Sequence, residues 1–208
     1  MPVGSGVFAV VTALLRSPGT LAASLSSRPD LFTKLAVITF ATFAITGLVM
    51  GGFSGGMQLL WVPLKVGLGM MFAALICLPS LYVFASVAGS ERTLRETGGA
   101  LLMGSALTGI LMVGFAPVTW LFSQATTSAH GMGSLQLMFF LIAHGLGLGL
   151  VRRTLSNGVK VSGSILLWGM VYLLVVLQVS TMLRPLLGPD DGMLWHSKTF
   201  FLQHWFGG

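Results

Sequence analysis

The stretch PLKVGLGMMFAALICLPSLYVF, residues 63–84, decides the fold class. Its single charge is Lys65, near one end, and a second proline, Pro79, lies deep inside it. As a helix rising 1.5 Å per residue it reaches about 33 Å, enough to cross a hydrocarbon layer of roughly 30 Å. Spans of the same kind come before and after it. Of the 208 residues, 54% are hydrophobic and 8% are charged, with a mean hydropathy of +0.90. A soluble domain carries about 25% charged residues, so this chain could not cover a water-facing surface. Membrane β-barrels show alternating segments of roughly 10 residues, a pattern missing here. The expected fold is all-α, a polytopic bundle of five transmembrane helices with interfacial amphipathic segments at both termini.

Working outward, residues 1–30 read as short N-terminal interfacial helices, because Pro18 ends the first apolar run before it can span. Packing of these helices against the bundle is the competing reading. Residues 31–187 form the membrane domain, with spans at 31–50, 63–88, 99–122, 135–151 and 164–187. Asp30 is placed as an N-cap of the first span. The glycine-rich residues 51–61 read as a turn, with Trp61 in the aromatic belt. Pro63 falls in the first turn of the second span, where a missing N–H is tolerated. Pro79 predicts a kink, and Pro117 a kink or an early end of the third span. Trp120 marks another interface. Residues 188–208 form an amphipathic tail.

Charge sets an orientation. Arg16, Arg28, Lys34, Arg92, Arg95, Arg152, Arg153 and Lys160 fall on one side, against Lys65, Arg184 and Lys198 on the other. The positive-inside rule then places the N-terminus in the cytoplasm and the C-terminus in the periplasm. This placement accounts for the net charge of +6 without nucleic acid as a partner. No Lys or Arg precedes Arg16, so the positive region of a cleaved signal is missing.

Candidate chemistry is sparse. All five acids, Asp30, Glu91, Glu96, Asp190 and Asp191, lie in loops or at span ends. Proton-coupled transport relies on ionisable groups inside the membrane, and acid–base catalysis on paired carboxylates. No HExxH or serine–histidine–acid set is present, so an enzyme is not expected. Cys77 is the sole cysteine and reads as a small buried hydrophobe. His144 is the histidine inside a span. It reads either as an axial ligand to haem or pigment, or a quinone contact, or as a residue hydrogen-bonded within the bundle. Lys65 and Arg184 sit at span ends, where they snorkel or meet lipid phosphate or a partner. Trp195 and Trp205 would anchor the tail at the interface. Gln178, Ser180 and Thr181 form a polar patch on the fifth span. Gly47, Gly51, Gly55, Gly145 and Gly149 have small-xxx-small spacing, which lets helices approach closely.

Five stretches occur together in order: LLRSP, FSGGMQLLWVPLK, LICLPSLYVF, GFAPVTWLFSQATT and MLRPLLG. Spread over most of residues 12–188, they resemble a family of bacterial five-span membrane proteins loosely grouped with the Yip-type proteins. The end MLWHSKTFFLQHWFGG departs from that pattern. The resemblance implies a non-enzymatic protein that works through membrane partners, and it supplies no catalytic residues. The expected function is a scaffold or accessory subunit of the inner membrane, contacting lipid and other membrane proteins or further copies of itself. A small-solute or lipid carrier is the alternative, and a haem-, pigment- or quinone-binding subunit the next. No resident cofactor is expected.

Overall fold

The computed structural model describes residues 6–54, 56–125, 128–156 and 162–182. These residues form α1 (Val7–Arg16), α2 (Pro18–Ala23), α3 (Asp30–Ser54), α4 (Gln58–Val87), α5 (Leu94–Ala125), α6 (Ala129–Ser156) and α7 (Ser162–Met182). There is no strand among them. The five from α3 to α7 are long and apolar enough to cross a membrane. The fold is therefore the expected all-α five-span bundle. The tail, with Arg184, Trp195 and Trp205, lies outside the described residues, as do Gly55 and Lys160.

Successive spans alternate in direction and close into a ring in the order α3, α4, α7, α6, α5. α4 also meets α5 across the ring. The larger core runs through α4 to α7, with Met70, Cys77, Leu81, Leu101, Phe139, Trp168 and Tyr172 buried in it. A second core lies under the N-terminal helices. Val10 and Leu14 of α1 and Leu21 of α2 pack with Leu31, Leu35 and Ile38 of α3 and Met103 of α5. The opposite face of α1 is exposed, Phe8 by 88%. The packing reading of this segment is the one observed: one apolar face of α1 packs on the bundle, and the other is exposed.

Several boundaries differ from the sequence expectations. Gly51 and Gly52 lie inside α3, and the described turn residues are Gly56 and Met57, with Gly56 at a φ of +59°. Only glycine adopts that left-handed conformation at little steric cost. α4 starts at Gln58, so Pro63 is interior and not in the first turn. Its ring lies against Gly47, where an added Cβ would stand 2.7 Å from Pro63 Cα. The bare glycine lets the α4 backbone at Val62 and Pro63 approach α3 closely. α4 continues through Pro79 and α5 through Pro117, so neither proline ends its helix.

α5 begins at Leu94, five residues before the expected span, because Thr93 and Glu96 form a capping box. Thr93 N donates to Glu96 Oε2 at 3.0 Å, and Glu96 N donates to Thr93 Oγ1 at 3.2 Å. α6 is also longer than expected at both ends. Ser128 Oγ caps it by accepting from Gly131 N at 3.1 Å. Asp30 lies inside the first turn of α3, not before it. Its carboxylate pairs with Arg28 at 3.0 Å and Lys34 at 2.6 Å.

Candidate functional site

Three of the polar side chains buried in the bundle, Ser105, Thr108 and His144, converge between α5, α6 and α7. The convergence starts from two glycines. A Cβ on Gly104 would meet Gly147 O at 2.9 Å, and one on Gly147 would meet Gly104 O at 2.6 Å. α5 and α6 therefore touch backbone to backbone, the approach that small residues permit in membranes. One turn further along α5, Thr108 Oγ1 donates to Gly104 O at 3.0 Å and reaches Ala143 O of α6 at 3.4 Å.

His144 follows Ala143 and is 6% exposed. Its ring stacks on Phe140 of the preceding turn and lies tilted against Tyr172 of α7, with centroids 5.3 Å away in each case. Tyr172 stacks in turn on Trp168, at 5.1 Å and 13°. Ser105 Oγ and Tyr172 OH are 3.5 Å apart. Trp168 Nε1 donates to Ser80 Oγ of α4 at 3.0 Å, and that hydroxyl donates to Cys77 O at 2.8 Å. The seam thus links four helices through side chains that each have an apolar body and a polar tip.

A small cavity lies along this seam. Met70, Leu101, Ser105, Thr108, His144 and Tyr172 are among its walls. The space open to a water centre is about 10 Å³. Among the described residues, no hydrogen-bond partner reaches His144 Nε2. The arrangement offers one imidazole nitrogen and three hydroxyls in a space of about one water. It is far too small for a tetrapyrrole or quinone ring. No group of three or more His, Cys, Asp or Glu suited to a metal ion occurs among the described residues.

The other candidate residues are dispersed. Lys65 is half-buried near the start of α4. Trp61 and Trp120 are exposed at that same end of the bundle. Gly47 and Gly51 lie where α3 is packed, Gly47 against Pro63. Gly145 and Gly149 do not pack inside the chain, because an added Cβ at either would meet nothing within 4 Å. The residue midway between them, Gly147, makes the close approach instead. Helical geometry turns 147 about 200° away from 145, onto the opposite face. Cys77 is buried as expected. Ser180 Oγ donates to Leu177 O at 2.7 Å, within its own helix.

Ser105, Thr108, Trp168 and Tyr172 were not foreseen as neighbours of His144. A signal was present: Gly104, Ser105 and Thr108 fall on one face of the third span at i, i+1 and i+4. Nothing in the sequence shows which helix that face meets.

The bundle ends also differ in charge. Arg16, Arg28, Lys34, Arg92, Arg95, Arg152 and Arg153 belong to the end where α3 and α5 begin and α6 finishes. Ser90 Oγ donates to Leu155 O at 3.2 Å, tying the α4–α5 turn to α6 at that end. Arg92 pairs with Glu96 at 3.1 Å, and the Arg95 guanidinium lies 5.5 Å from the Phe32 ring centroid. Among the described residues Lys65 is the charged side chain of the opposite end. Compared with protein-family models, curated proteins and solved structures, the chain matches none.

Proposed function

We propose that this protein is a non-catalytic scaffold or accessory subunit of a bacterial inner membrane, one that packs against membrane-protein partners and lipid. The observation that carries this reading is the outer face of α6. Gly145 and Gly149 lie there one turn apart, with open space where each Cβ would be. Exposed Leu141, Ile142 and Leu146 flank them. Gly47, Gly67, Gly99 and Gly147, by contrast, are used inside, against Pro63, Phe40, Leu25 and Gly104 in turn. A bare two-glycine groove between leucine ridges is the surface on which a second transmembrane helix can lie closely. The resemblance to Yip-type proteins agrees with this reading. The cytoplasmic N-terminus is supported by the clustering of arginines at one end of the bundle.

The test is purification from the native membrane in mild detergent, followed by native mass spectrometry of wild type and of Gly145→Leu/Gly149→Leu. A second copy or a defined partner should accompany wild type and be lost from the variant. A lone wild-type monomer sinks the proposal. The carrier reading has less support, since the buried polar space around His144 amounts to about one water.

A further inference from the structure

We infer that the cavity beside His144 is a specific site for one ordered water, hydrogen-bonded to His144 Nε2 and to the hydroxyls of Ser105 and Tyr172. This does not depend on whether the outer face of α6 meets a partner.

Three independent features converge. First, His144 is 94% buried, and among the described residues nothing hydrogen-bonds its Nε2. A buried polar atom left unsatisfied costs about 1–3 kcal/mol. In a membrane interior the surrounding lipid offers it no alternative. Second, the cavity has the right size. Its volume of about 10 Å³ lies at the lower limit that admits one water, roughly 10–15 Å³ on the same measure. Third, the walls have the right chemistry. Ser105, Thr108 and Tyr172, each carrying a hydroxyl, line the same space. A buried water usually makes about three hydrogen bonds, so four polar neighbours suffice.

The hydroxyl geometry selects the partners. Thr108 directs its proton to Gly104 O at 3.0 Å, leaving only acceptor capacity toward the cavity. Ser105 and Tyr172 are 3.5 Å apart, the long limit for a direct bond, so each retains capacity for a third party. Neutral imidazole offers either a donor or an acceptor at Nε2, and water serves both. The remaining walls, such as Met70 and Leu101, are apolar and hold the site at one molecule. The water would join α5, α6 and α7 at one point, about 16 Å along α5 from its start.

The experiment uses the full chain in liposomes, with isotope-labelled histidine and with His130, His196 and His204 each changed to Gln. Magic-angle-spinning NMR then reads His144 alone. Water protons should transfer magnetisation to His144 Nε2. Ser105→Val removes one hydroxyl and adds a methyl group to the space, and it should reduce that transfer to background. With tyrosine and phenylalanine labelled as well, the contact between the His144 ring and the ring at position 172 of α7 reports that the bundle is still folded. If the variant loses that contact, Tyr172→Phe, which keeps the ring and removes the hydroxyl, takes its place and should reduce the transfer at least twofold. No transfer in the protein with Ser105 and Tyr172 intact overturns the inference. Transfer from a protein hydroxyl in place of water also overturns it, as does undiminished transfer in a folded variant.

Discussion

At Gly147 an alanine methyl carbon would stand 2.6 Å from the carbonyl oxygen of Gly104, and neither backbone can move without prising α5 from α6. Overpacking of this kind costs about 1–3 kcal/mol. Gly147→Ala should therefore lower the unfolding midpoint in detergent. Gly145→Ala, two residues away, meets nothing and replaces a poor helix former, so it should leave the midpoint unchanged or raise it. If both variants behave alike, the assignment of inner and outer glycines is wrong. Trp168 is a second case. Its Nε1 donates to Ser80 Oγ at 3.0 Å. Trp168→Phe removes that bond while keeping an aromatic ring, and interhelical bonds in membranes are worth about 0.6 kcal/mol on average. Much of that loss should disappear when Ser80→Ala is already present, a non-additivity that a double-mutant cycle measures.

Among the elements, α1 and α2 set the clearest question. They are too short to span, yet Val10, Leu14 and Leu21 are almost fully buried against α3 and α5. Leu25, just after α2, fills the space that the missing Gly99 side chain leaves, with its Cδ2 at 2.8 Å from where a Cβ would stand. Leu14→Asp would place an unpaired charge in this second core. It should release α1 and α2 and make the Arg16–Ser17 bond sensitive to trypsin in detergent, with the five spans kept helical by circular dichroism. The start of α5 makes the second element-scale prediction. Its capping box satisfies two donors reciprocally. Thr93→Ala should destabilise the protein by about 1 kcal/mol, read as a lower unfolding midpoint.

For the whole molecule, the unequal ends are the organising feature. Arg152 and Arg153 close α6 at the end that also holds Arg16, Arg92 and Arg95, whereas exposed Trp61 and Trp120 mark the other. The one native cysteine, Cys77, is buried, so an introduced surface cysteine gives a clean signal. On the proposed orientation, with a cytoplasmic N-terminus, a membrane-impermeant maleimide added to spheroplasts should label Gln124→Cys and spare Ser26→Cys. The reverse pattern would invert the orientation. Labelling of both sites without permeabilisation would disprove a transmembrane arrangement of α3 to α5.

The sequence by itself determined that α3 to α7 are helices long and apolar enough to cross a membrane, because runs of twenty or so apolar residues favour lipid, and in lipid a helix satisfies every backbone polar group internally. It also determined the alternation of charge between the ends. Boundaries were less legible. The glycines at 51 and 52 read as a turn, but in the structure they continue α3, since in lipid an unmade helix hydrogen bond costs more than poor glycine propensity. The TLRE capping box at residues 93–96 is legible in the sequence, although apolar content alone starts the third span at residue 99. Only the tertiary structure decided which faces meet. Three glycines alternate at 145, 147 and 149, and composition cannot say that the middle one faces α5 while the outer two face outward. The same holds for His144. Its companions come from α5 and α7, distant in sequence, and are brought beside it by the Gly104–Gly147 approach and by the aromatic stack on α7. A hydropathy pattern records how each helix meets lipid, but the partner of each polar face depends on the rotation of neighbouring helices, which packing fixes.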